Sequence, residues 1–126
     1  MAARKEVLSP DNPHVGRTLT VLGLVYAAQG KAAEADGAFR EALAVFRGRP
    51  NLEDWVAMAG AGHAATLLAL GRPDEATPLL ASSWLTIESD RRIALWQKRR
   101  LAGLVAAGYE KAGNSAEATA WRDKSR

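Results

Sequence analysis

The chain contains no cysteine, which excludes a disulfide framework and any thiolate metal site. Its only histidines, His14 and His63, fall in no His-x-x-x-His or Glu-x-x-His arrangement, so the usual zinc and general-base patterns are missing. There is no glycine-rich phosphate loop. Ser82-Ser83 has no base at a recognisable spacing, and a serine without one is a poor nucleophile. Glu53-Asp54 reads as helix-start charge rather than as an acid–base pair. With the groupings an active site requires missing, the sequence predicts no metal site, no cofactor and no catalysis. The longest apolar run, Val21 to Ala28, is interrupted by Gly23 and is far shorter than the ~20 residues that span a bilayer. The start, Met1-Ala2-Ala3-Arg4-Lys5-Glu6, lacks the apolar core of an export signal. A cytoplasmic protein without a membrane partner is expected. Charge of one sign is also scarce, with 17 basic and 14 acidic residues giving a net charge of +3. The one dense run, Arg91, Arg92, Lys98, Arg99 and Arg100, reads first as a solvated helix face.

What is present suits one folded domain spanning residues 1–126, with 48% hydrophobic residues and only 5 prolines. Its main feature is internal repetition. Gly23-x-x-Tyr26-x-x-x-Gly30-x-x-x-x-Ala35 recurs as Ala64, Leu67, Gly71 and Ala76, and again as Ala106, Tyr109, Gly113 and Ala118. The copies lie 41 and 42 residues apart. A fixed period in this range marks a stacked array, in which each unit buries its apolar face only against its neighbours.

Apolar spacing and breakers predict six helices. The first runs from His14 to Gln29 on a stripe of Val15, Leu19, Leu22, Val25 and Tyr26. Gly30 closes it, as glycine does in a left-handed cap. The second covers about Ala32 to Arg47, the third Leu52 to Leu70, the fourth Pro73 to Glu88. The fifth, about Arg91 to Ala112, is expected to be the longest, and Ser115 is expected to cap a final helix ending near Lys124. Gly60 and Gly62 each cost about 1 kcal/mol against alanine inside a helix, which makes the third the least secure. Pro10 and Pro13 keep residues 1–13 from forming a regular helix. Glu34, Glu75 and Glu117 each fall in a helix's first turn, where a carboxylate complements the helix dipole. Trp84 is assigned to the core, as are Trp55 and Trp96, with those two becoming binding candidates if exposed. Arg92 and Arg100 each lie one turn from Trp96, within reach of a cation–π contact. His63 is expected as a buried or half-buried neutral imidazole.

These residues resemble the tetratricopeptide repeat (TPR) family across residues 14–125. Leu19, Leu22, Gly23, Tyr26, Gly30, Ala35, Phe39, Ala42 and Leu43 carry the likeness in the first unit. Ala64, Leu67, Gly71, Ala76 and Leu80 carry it in the second, and Ala106, Tyr109, Gly113 and Ala118 in the third. Arg122 stands where the family has a large apolar residue, and Trp121 is expected to replace it. A period of 41–42 rather than 34 is similar to the kinesin-light-chain-like subclass, also common in bacterial proteins.

The resemblance implies an all-α, right-handed superhelix (a TPR solenoid) of three helix-turn-helix repeats, about 14–49, 50–90 and 91–126. Its first helices would line a concave groove that receives a peptide or partner helix. By register the groove stripe is Arg17, Thr20 and Leu24, then Met58, Ala61 and Ala65, then Arg100, Gly103 and Ala107. Some relatives hold a terminal carboxylate with Lys, Asn and Arg. Here Arg17 and Arg100 are present, but Asn12, Asn51 and Asn114 all lie near turns. The expected function is a non-catalytic protein-interaction or scaffold module. The alternative is a nucleic-acid-binding repeat using the basic 91–100 segment, and self-association into a homodimer is a third reading.

Overall fold

A computed structural model describes residues 12–126 as six helices, with no strand among the described residues. They are α1 (Pro13–Ala28), α2 (Ala32–Phe46), α3 (Glu53–Ala69), α4 (Pro73–Ser89), α5 (Leu95–Lys111) and α6 (Ser115–Lys124). Consecutive pairs form three hairpins, α1–α2, α3–α4 and α5–α6, and α3 packs against α1, α2, α4 and α5. The arrangement is consistent with a TPR solenoid. The expectation for residues 1–11, including Pro10, lies outside the described residues.

Each first helix of a hairpin ends in the same way. Gly30, Gly71 and Gly113 take φ of 76°, 76° and 82°, the left-handed region where a Cβ is costly. The residue after each glycine then donates its backbone N–H back to the helix. Lys31 donates to the Tyr26 carbonyl, Arg72 to Leu67 and Asn114 to Tyr109, each at 2.9 Å. This is a Schellman closure. It explains why a glycine recurs four residues after the Tyr26, Leu67 and Tyr109 positions.

Helix starts follow local chemistry as well. Pro13 occupies the first turn of α1, and the Asn12 side chain accepts from the His14 N–H at 2.9 Å. At α6 the cap is Asn114 rather than the expected Ser115. Its side chain accepts from the Glu117 N–H at 3.2 Å, and Ser115 is already the first helical residue. Helix α5 also starts later than expected, at Leu95. The Asp90 carboxylate accepts from the Arg92 N–H at 2.9 Å, and residues 90–93 fold into a turn that buries Ile93. At 17 residues α5 only equals α3 and α4.

Helix α3 corrects the expectation of weakness. Eleven of its residues are buried, and they fall on all sides of the helix, as expected for a helix at the centre of a protein. Its glycines are contact points. Gly62 faces the Phe39 ring of α2, and Gly60 faces the Ser83 side chain of α4. Two cores meet on this helix. Phe39, Phe46, Ala42 and Leu52 gather with Ala59 on one side. Leu67, Leu68, Trp84, Leu101, Val105 and Trp121 gather on the other. Trp84 meets Trp121 edge to face with ring centroids 4.8 Å apart. Trp121 is 9% exposed while Arg122 faces solvent, so the tryptophan takes the apolar position.

Candidate interaction surface

The first helices of the three hairpins, α1, α3 and α5, wall two hollows. One has a volume of about 140 Å³ and is lined by Val21, Leu24 and Val25 of α1, Trp55 and Met58 of α3, and Trp96, Gln97, Arg100 and Leu101 of α5. The other, about 260 Å³, is framed by small residues, among them Ala28, Ala65, Ala69 and Ala107, with Lys111 at one side. The first is the more distinctive. Trp96 is 63% exposed there and Val21 51%. Met58 forms a buried floor, and Trp55 is half-buried against both cores.

The expected groove stripe divides in the structure. Leu24, Met58 and Arg100 meet in the first hollow, and Ala65 and Ala107 line the second. Arg17 is exposed one turn before Val21 on α1. The other three positions turn elsewhere. Thr20 has no exposed surface and donates its hydroxyl to the Gly16 carbonyl at 2.9 Å. Ala61 also has none. A Cβ on Gly103 would point to Ser125, beyond the end of α6, at 3.8 Å. Helix rotation explains the difference. The inward face of α5 runs through Trp96, Arg100, Leu104, Ala107 and Lys111, which leaves Gly103 at the edge of that face, about 60° from its middle.

Val21, Val25, Trp55, Trp96, Gln97 and Leu101 complete the site and were absent from the stripe. Trp96 leaves the core assigned to it, and Leu22 and Val25, on the apolar stripe of α1, are 39% and 41% exposed. More apolar residues on α1 than one buried stripe requires was the available signal. The cation–π contact found among the described residues is not at Trp96 but between Lys124 and the Trp121 ring, at 5.6 Å.

Arg92 is engaged elsewhere. It bonds Asp90 at 2.8 Å and Glu53 at 3.2 Å, lies 3.6 Å from Asp54, and donates to the Asn51 carbonyl at 3.3 Å. These contacts tie the turn before α5 to the start of α3. They lower the pKa of Asp90 and of Glu53, chiefly through the side-chain hydrogen bond from Arg92, and raise that of Arg92 itself. The basic run therefore divides. Arg91 and Arg92 sit in the turn, Lys98 donates to the Glu88 carbonyl at 3.2 Å, and Arg99 and Arg100 extend from α5.

His63 and Asp36 form a further polar link between α3 and α2. The His63 Nε2 lies 2.9 Å from one Asp36 oxygen, and Arg40 lies 3.3 Å from the other. The pair is mostly buried between helices, as expected for a packing histidine. Among the described residues no helix is long and apolar enough to cross a membrane.

No curated protein and no solved structure matches the chain. A tetratricopeptide repeat family model matches residues 15–47. That span is essentially the α1–α2 hairpin, to which the match gives a tetratricopeptide repeat character, and the glycine closure of that hairpin recurs in the two hairpins after it.

Proposed function

We propose that this chain is a non-catalytic interaction module that captures a peptide or helix of a partner protein in the hollow between α1, α3 and α5. The observation that carries this reading is Trp96, 63% exposed, beside Val21 and Val25 over a shaped apolar floor. A clustered apolar patch of this kind marks an interaction site, and tryptophan is the residue most enriched where binding energy concentrates. The kinesin-light-chain-like subclass, with a bacterial and cytoplasmic setting, accompanies the reading on the 41- and 42-residue spacing. The nucleic-acid alternative gains no comparable support, because Arg92 is held by three carboxylates.

The test is a double variant, Val25→Glu with Trp96→Ala, at two positions that already face solvent. Ala65 is unsuited to such a test, because it is 4% exposed and its carbonyl lies against Gly108. Partners selected from a displayed peptide library by the unaltered chain are expected to be lost by the variant, with its circular dichroism unchanged. Retention of those partners would overturn the assignment of the hollow.

A further inference from the structure

Helix α3 borders cavities on two sides. Trp55 and Met58 line the first hollow, whereas Val56, Ala57 and Gly60 fall on the opposite side of the helix. There they floor a cleft of about 550 Å³ between the second helices α2 and α4. Leu43, Phe46 and Leu79 give it apolar walls, and Arg47 and Arg49 border it from the turn after α2. Its polar groups set it apart. Ser83 is 8% exposed, yet its hydroxyl makes no hydrogen bond among the described residues. Other hydroxyls of α4 do: Thr77, Ser82 and Ser89 each donate to a carbonyl of their own helix. The Ser83 hydroxyl lies instead over Gly60, whose missing side chain makes room for it, in the lining of the cleft. Thr86, half-buried one turn on, also makes no side-chain bond among the described residues. A buried hydroxyl left unpaired is costly.

The cations of this cleft are likewise uncommitted. Neither Arg47 nor Arg49 forms an ion pair among the described residues. Arg49 is held in place by its Nε, which donates to the Val45 carbonyl at 3.0 Å, and its terminal N–H groups are left over. The one acid in the lining, Glu53, is engaged by Arg92 and by the Asn51 N–H. We infer that this cleft binds a small amphiphilic acid, with one carboxylate or phosphate on a compact apolar body. The anionic oxygens pair with Arg49 and Arg47 and accept from Ser83 and Thr86, while the body lies on Phe46, Val56 and Leu79. Charge-assisted bonds to guanidinium are among the strong ones. A mostly apolar cleft of this size with a few convergent polar groups is the usual form of a small-molecule site. The equivalent cleft between α4 and α6 has Glu88 and Glu117 in its lining and is unsuited to the same ligand. The site is separate from the hollow proposed for a partner protein, because the two lie on opposite sides of α3.

Calorimetric titration of the full chain tests this with phenylbutyrate and phenyl phosphate as the acids. Phenylbutyramide serves as the uncharged match and acetate as the anion without a body. At least one acid is expected to bind, the tighter of the two naming the anionic group, with the amide and acetate at least about tenfold weaker. Arg49→Gln should weaken the acid by about tenfold, as for the loss of a hydrogen bond to a charged group, and Ser83→Ala by about fivefold. Arg99→Ala, on the exposed side of α5, should leave it unchanged. Amide shifts in nuclear magnetic resonance spectra should gather at Phe46 to Arg49 and Ser82 to Thr86. Shifts at Leu24 and Trp96 instead would move the ligand to the first hollow and overturn the assignment. Equal binding of phenylbutyrate and its amide would overturn the acidic class, and failure of both acids to bind would overturn the site.

Discussion

Phe39 has no exposed surface because glycines on two other helices make room for its ring. A Cβ on Gly23 would come within 2.7 Å of that ring, and one on Gly62 would overlap it. A similar economy joins α3 to α5, where a Cβ on Gly108 would lie 2.6 Å from the Ala65 carbonyl. Backbone cannot swing aside as a side-chain tip can. Gly108→Ala is therefore expected to destabilise the fold by about 1–3 kcal/mol, the usual cost of overpacking. Gly37→Ala, in a helix with nothing within 4 Å of the new methyl, should stabilise it by about 0.5–1 kcal/mol. Urea denaturation of the two variants checks both signs. In the sequence these glycines look alike. Those in left-handed turns were legible from their period, whereas those needed for close approach depend on what lies opposite.

Helices here were legible in existence and order, less so at their ends. The α5 start shifts from Arg91 to Leu95 because the Asp90 side chain competes for the backbone of the turn. The Arg92 network at that turn also has a consequence for pH. Both Glu53 and Asp90 have lowered pKa values in the folded protein. Their contribution is complete above the ordinary carboxylate range near ~4 and is lost as pH falls through the lowered values. Glu53 and Arg92 are largely exposed, so solvent screening keeps the effect small, although the Asp90 side chain is mostly covered. Arg92→Ala is expected to reduce stability near neutral pH and to leave a shallower loss between about pH 5 and pH 2. Thermal midpoints measured across that range test it, and an unchanged acid limb would count against the network.

At the scale of the whole molecule, α3 belongs to both cores, so neither hairpin on its flanks can lose it without the other responding. Unfolding is expected in one transition, with tryptophan fluorescence and far-ultraviolet circular dichroism coinciding along a urea titration. Two separated transitions would show that the repeats melt independently, as a weakly coupled array does. The sequence by itself determined three helical hairpins, because glycine closures and apolar spacing act within a few residues of one another along the chain. It also supplied the excess of cations over acids on α1 and α5, legible once the helices were placed. Only the tertiary structure decided which faces meet solvent. Spacing fixes the angles between side chains on one helix, but the rotation of that helix about its axis is set by its neighbours. Phe39 seated on Gly23 and Gly62, and Gly108 against Ala65, set those rotations. They turn Thr20, Ala61 and Gly103 away from the hollows and leave Trp96 at the surface beside Arg100.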